Sequence, residues 1–282
     1  MMDLTPGFVS VDDAATFAIR GTQRDIVRAY NVALNKMRAR VMALYQDVAG
    51  RAKDPETIMQ LRKYRDLNRW LQYQFSTLSG AQNERLYKGI TKAYKEAFRA
   101  ETEKIEQLVN IKLDGKATAE RINFSLENPT TGLPLSDILE RNRVIGQYDL
   151  SRDFNVAVRR GLSPGAVMDK LQQSLEKQAG KMIRTLHTEG NRVINESAQG
   201  VFEMAVDFVG DDIEKYWIHQ PGPMGGSREE HVRMHGKTAD DDGLFTLPNG
   251  HRGAGPGQFG YPEDDINCYC RMSFRKKFRK KS

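Results

Sequence analysis

Apolar residues set the first half of the chain into helices. Between Thr22 and Ala49, the positions Tyr30, Leu34, Met37, Val41 and Leu44 recur at steps of three and four, which is one stripe of an amphipathic helix. Gly50 and the pair Asp54-Pro55 mark its end, and they also open the next helix, with Asp54 as cap and Pro55 in the first turn. Ile58, Leu61, Leu67, Leu71 and Phe75 carry that second helix to about Leu78, where Ser79-Gly80 predicts a break. A third helix follows to about Lys112 on Leu86, Ile90, Ala93, Ala97, Ile105 and Leu108. The aromatics along these helices (Tyr64, Trp70, Tyr73, Tyr87, Tyr94 and Phe98) read as core or subunit contacts. The pattern fades from Lys116 to Leu135, a turn-rich connector. It returns from Ser136 to Arg160, and Ser163-Pro164 opens another helix. Gly180 predicts a break or bend before a last long helix, residues 181–206, whose inward face is Ile183, Val193, Ile194, Ala198, Val201 and Phe202.

After Gly210 the period changes. Residues 214–220 and 266–274 read as strands, and Gly243 to Pro248 as a short strand and turn. A short helix runs from Ser227, its cap, through His235, with Glu230 at the capping-box position and Gly236 as its stop. The fold expected is mainly α: an N-terminal helical bundle, long helices, then a small mixed α+β, loop-rich C-terminal module. The divisions expected are a helical region over 1–125, further helices over 126–210, the mixed module over 211–274, and a basic tail over 275–282.

Composition adds limits. With 39% hydrophobic and 28% charged residues the chain is globular. No apolar run is long enough to cross a bilayer, so no membrane partner is expected. The opening M-M-D-L-T-P has neither a basic region nor an apolar one and does not read as a signal peptide. Two cysteines at C-x-C spacing make no disulfide framework. The net charge is +6, yet residues 271–282 carry seven basic and no acidic residues, and the remainder comes to −1. Arg271, Arg275, Lys276, Lys277, Arg279, Lys280 and Lys281 are therefore the candidate contacts to a polyanion such as double-stranded DNA.

Candidate chemistry is concentrated between Trp217 and Arg271, which hold four of the five histidines and both cysteines. His231 and His235 share a helix face if the helix extends that far. With Cys268 and Cys270 they make a two-nitrogen, two-sulfur set suited to structural zinc, set against a hydrogen-bonded module with apolar cysteines. H-V-R-M-H lacks the glutamate of a zinc protease motif, no G-x-S-x-G occurs, and G-A-G-P-G-Q-F-G ends without the lysine of a phosphate loop. A metal-dependent nuclease on the same four residues needs an acid or base, for which Asp264 and Asp265 are the nearby candidates. A DNA-binding regulator is the other alternative, and the neutral body lacks the basic recognition helix it needs. Glu189, Arg184 and Arg192 on the last helix form surface ion pairs, or anchor it onto the terminal module if buried.

Taken in order, R-T-L-H-T-E-G-N-R-V-I-N-E on a helix, Trp217, R-E-E-H-V-R-M-H-G, F-T-L-P-N-G and I-N-C-Y-C-R resemble the C-terminal domain of the phage Mu F-like minor head proteins, also called head morphogenesis proteins, over roughly residues 140–274. The family's helix motif falls on Arg184, Thr188 and Glu189, with Asn191 and Arg192 beside it. Its Arg-x-x-His falls on Arg228 and His231, its glycine on Gly236 after His235, and its closing motif on Asn267, Cys268 and Cys270. Tyr269 stands where the family's arginine usually sits, and P-M-G-G-S replaces the usual residues before Arg228. The resemblance implies a structural, non-enzymatic minor capsid protein of a tailed bacteriophage, acting in head morphogenesis, DNA packaging or DNA exit. Its implied partners are the portal protein, scaffolding and major capsid proteins and packaged DNA. Its implied place is the capsid interior near the portal vertex, after assembly in the host cytoplasm.

Overall fold

A computed structural model describes residues 14–48, 54–128, 132–222 and 226–277. The chain is mainly α. Its long helices are α1 (Ala14–Val48), α3 (Arg62–Val109), α5 (Leu135–Arg159) and α6 (Pro164–Val209), with the short α2 (Pro55–Gln60) and α4 (Ala119–Glu127) between them. A single 3-10 turn then leads into β1 (Ile213–Ile218), α7 (Glu229–Arg233), β2 (Phe245–Thr246), β3 (Arg252–Gly253), α8 (Pro262–Asp265) and β4 (Arg271–Lys276). No helix among the described residues is long and apolar enough to cross a membrane.

The predicted stripe of α1 is buried throughout, from Tyr30 to Leu44. Asp54 caps α2 by accepting the Thr57 N–H at 2.9 Å. Ser163 accepts the Ala166 N–H at 3.3 Å, with Pro164 in the first position of α6. Two predicted breaks do not occur. α3 runs through Ser79-Gly80 because its buried face continues without a gap: Leu71, Phe75, Ser79, Gln82, Leu86 and Ile90 are all buried at steps of three and four. α6 runs through Gly180 for the same reason, on Leu171, Leu175, Ala179, Met182 and Leu186. A helical glycine costs about 1 kcal/mol against alanine, which such a face outweighs. In the connector, where no helix was expected, Thr118 accepts the Arg121 N–H and caps α4.

The chain divides into two compact units. Of the described residues, the first takes 22–48, 54–86 and 136–183. Tyr64 and Phe154 stack there at 5.4 Å, and a polar lattice runs alongside them. Tyr64 bonds Asn155, Gln72 donates to Ser151 at 3.0 Å, and Ser151 donates to Asn68 at 3.2 Å.

Of the described residues, the second unit takes 14–21, 87–128, 132–135, 184–222 and 226–277 and contains the mixed module. β1 and β4 pair antiparallel, with Trp217 opposite Met272 and Ile218 opposite Arg271. β2 and β3 form a second small pair. Alternation along β1 turns Ile213, Lys215 and Trp217 inward. Trp217 is wholly buried and centres the module, with Phe245, Phe259 and His231 within 5.9 Å, centroid to centroid. Lys215 donates to Gln199 Oε1 at 2.6 Å and to the Ala254 carbonyl at 2.8 Å, and burial pulls its pKa down to about 8.

Candidate metal centre

One face of α6 supplies the wall of the site. Thr188, Asn191 and Asn195 lie three and four apart and bond the returning chain. The Thr188 hydroxyl accepts the Asn267 N–H at 3.2 Å. Asn191 and Asn195 both donate to the Cys270 carbonyl at 3.1 Å, and Asn195 Oδ1 accepts the Met272 N–H at 2.9 Å. Beside this face, Arg192 and Glu189 are buried as a pair at 2.8 Å. Arg192 also reaches Glu196 and the Ser125 carbonyl, both at 2.5 Å. The motif helix is thus anchored from within, while Arg184 stays exposed and takes no part.

The opposite wall is a set of turns. Arg228 donates to the carbonyls of Asp264, at 3.2 Å, and Ile266, tying the start of α7 to the segment after α8. Asp265 accepts the N–H groups of Phe259 and Gly260; burial raises its pKa, against these bonds. Asp264 takes His251 Nδ1 at 2.6 Å and Asn249 at 3.2 Å. Asn267 adopts a left-handed backbone, φ 57°, which swings the chain out of α8 and into β4. Cys268 and Cys270, two residues apart in the chain that follows, both turn inward, where His231 on α7 meets them.

The three side chains converge. His231 Nδ1 lies 3.6 Å from Cys268 Sγ and 3.8 Å from Cys270 Sγ, and all three donor atoms fall within 4.8 Å of one another. Such a group can hold a metal ion. Both cysteines are free and buried. The two neighbouring thiols shift in opposite directions, Cys270 down and Cys268 up, each chiefly through the other. His231 and the Gln220 N–H also favour the Cys270 thiolate. His231 Nε2 is buried with no hydrogen-bond partner and its ring meets Trp217 edge to face, at 87° and 5.4 Å. Above the cluster opens a polar cavity of about 320 Å³, lined among others by His219, Gln220, Ser227, Arg228, Asn267 and Tyr269.

Several expectations are corrected here. His235 is not in the cluster. α7 stops at Arg233, the chain turns through Gly236 at φ 78°, and the exposed His235 ring instead accepts the His219 N–H at 3.1 Å. The four-ligand set therefore reduces to three. Ser227 does not cap α7; Arg228 holds that position without a side-chain cap, and Ser227 Oγ pairs with His219 Nε2 at 3.0 Å. Asp264 and Asp265 do not line the cavity, and their oxygens are taken by His251, Asn249 and backbone N–H groups, so the base a nuclease needs is missing from its wall. Arg271, Arg275 and Lys276 belong to β4 rather than to a tail, and Arg275 pairs with Glu214 at 2.6 Å. Lys277 donates its backbone N–H to Asp212. Arg279, Lys280 and Lys281 lie outside the described residues. Asn195, Glu196 and Ser125 were not singled out in the sequence. Asn195 follows Thr188 by seven and Asn191 by four, and that spacing was the available signal.

Over 167 residues the chain is similar to the NAD(+)–arginine ADP-ribosyltransferase EFV of Enterococcus faecalis, at 27% identity, covering 59% of this chain and 34% of that protein. The chain spans about a third of the length of this curated relative. No family model and no solved structure matches it. The relative is named for an enzymatic transfer, and this overturns the expectation of a structural capsid protein without enzymatic activity.

Proposed function

We propose that this chain takes part in ADP-ribosyl transfer to arginine, and that a zinc ion holds its C-terminal module together. The observation that carries the first half is the 167-residue similarity to the enterococcal arginine transferase. In that chemistry the bond from the ribose anomeric carbon to the nicotinamide nitrogen breaks, and a bond from the same carbon to a guanidino nitrogen forms. The second half rests on the converging nitrogen and sulfurs. In a tetrahedral zinc site with Zn–N and Zn–S bonds of about 2.0 and 2.3 Å, an N to S separation of about 3.5 Å is expected. The separations of 3.6 and 3.8 Å fit it, and two sulfurs with one imidazole are a donor set that favours zinc over magnesium or calcium. Zinc bound to thiolates would stabilise a module whose strands are too short to bury much apolar surface.

We also infer that residues 140–274 descend from the Mu F-like domain, since Thr188, Asn191, Arg228, His231, Asn267 and the two cysteines, scattered through the sequence, meet in one module. This is a statement about the ancestry of the module and carries no capsid role.

The test of the first half is transfer of label from ADP-ribose-labelled NAD to agmatine, a small guanidine, by the zinc-loaded full chain. Label on agmatine above a heat-inactivated control is expected. Folded, zinc-loaded protein that transfers none refutes the transferase reading and leaves the metal reading standing. Elemental analysis tests the second half: about one zinc per chain is expected, and folded protein purified without chelator that holds none refutes it.

A further inference from the structure

Three protein donors leave one vertex of a tetrahedral ion to fill, and structural zinc sites are closed by a fourth protein ligand. On the basis of the zinc reading, we propose that His219, rather than His235 or solvent, is that fourth ligand, so that the centre is His219, His231, Cys268 and Cys270.

Three observations converge on it. His219 lines the same cavity as the other three side chains. The alternation that turns Lys215 and Trp217 inward, continued one step past β1, puts His219 on the side where Trp217 meets His231. Last, the ring and backbone of His219 are already braced. Its Nε2 pairs with Ser227 Oγ at 3.0 Å, and its N–H donates to His235 Nδ1 at 3.1 Å. Neither nitrogen of His219 lies within 4.8 Å of all three other donors; with the proton on Nε2, directed at Ser227, the Nδ1 lone pair is left for a metal once the ring closes on it. A ligating histidine is ordinarily held in this way, through the hydrogen bond of its other nitrogen. His231 likewise presents Nδ1 to the sulfurs. His235 then acts as a positioning residue: it holds the backbone of the ligand and does not touch the ion.

The experiment uses the full chain loaded with cobalt(II) and, separately, with zinc. X-ray absorption of the unaltered zinc protein is expected to show two sulfur and two imidazole neighbours. Two sulfurs with one imidazole and a water oxygen overturn the proposal without any variant. The cobalt form is expected to show the intense visible bands of a tetrahedral centre. His219→Ala should keep the thiolate-to-cobalt charge-transfer band, shift and weaken the visible bands, and bind metal at least tenfold more weakly; added imidazole should restore the spectrum. His235→Ala should keep the spectrum with a smaller loss of affinity. If His219→Ala matches the unaltered chain in spectrum and affinity, the proposal fails while the three-ligand zinc centre stands. If the unaltered chain binds neither metal, both fail. If His219→Ala does not fold, the X-ray absorption result decides.

Discussion

Asn195 is the residue on which the returning chain hangs, and its replacement by alanine has a cost that can be worked out. The side chain is wholly buried. Asn195→Ala leaves the Met272 N–H buried without its acceptor, which costs about 1–3 kcal/mol. The Cys270 carbonyl keeps Asn191 as a second donor, so that loss is only about 0.5–1.5 kcal/mol. Together the substitution should destabilise the module by about 1.5–4.5 kcal/mol. Asn191→Ala makes the complementary test. It removes one of the two donors to the Cys270 carbonyl, orphans nothing, and should cost about 0.5–1.5 kcal/mol. The assay is urea unfolding followed by tryptophan fluorescence in a Trp70→Phe background, so that Trp217, buried in the module, is the sole reporter. Asn195→Ala should have the lower midpoint at an unchanged slope. Equal midpoints, or a larger loss for Asn191→Ala, would refute the idea that the Met272 N–H depends on Asn195.

Three further predictions follow from individual residues. Burial and Arg20 hold the His187 pKa at about 4, below the ordinary 6.5, so the unfolded chain takes up a proton that the folded chain refuses; stability should fall as pH drops from 6.5 toward 4, by about 1 kcal/mol between pH 7 and 5.5, and urea midpoints of His187→Gln should fall less over that interval. A Cβ on Gly253 would lie 2.6 Å from the Gln258 carbonyl oxygen and 2.9 Å from Phe259 Cα, whereas one on Gly190 meets the flexible end of Ile19; thermal melts should show Gly253→Ala losing about 1–3 kcal/mol and Gly190→Ala much less. We propose the basic end of the chain as a DNA contact. Ending the chain after Lys277 should leave β4 intact yet weaken salt-dependent duplex binding in a fluorescence anisotropy titration, and equal affinity would sink the proposal; ending it after Cys270 would instead delete the strand paired with β1.

Much of the fold was legible in the sequence because the helical period is written in large apolar residues. The stripe of α1, the Asp54-Pro55 and Ser163-Pro164 helix starts and the change of period near Gly210 all rest on local rules, and each corresponds to an observed element. The misread points were those where a local rule met tertiary packing. Ser79-Gly80 and Gly180 carry turn chemistry, but each sits within an apolar face that continues on both sides, and a continuous buried face outweighs one glycine. α4 was missed because nine residues give too short a window for a period to show.

At the site, the components were legible along the chain but their pairing was not. C-x-C could be read directly, since residues two apart in extended chain point the same way. The choice of histidines could not, because it depends on where α7 ends. Had that helix reached His235, the two imidazoles would have shared a face. It stops at Arg233, and Gly236 in a left-handed turn carries His235 away to the His219 backbone. The same turn is bonded to β1, with the Gly236 N–H donating to the Trp217 carbonyl at 2.8 Å. What removes His235 from the cluster therefore also fixes the end of β1, and with it His219, on the wall of the cavity. A four-residue interval in the sequence pointed to one histidine, and the hydrogen bonds that close the turn favour another sixteen residues earlier.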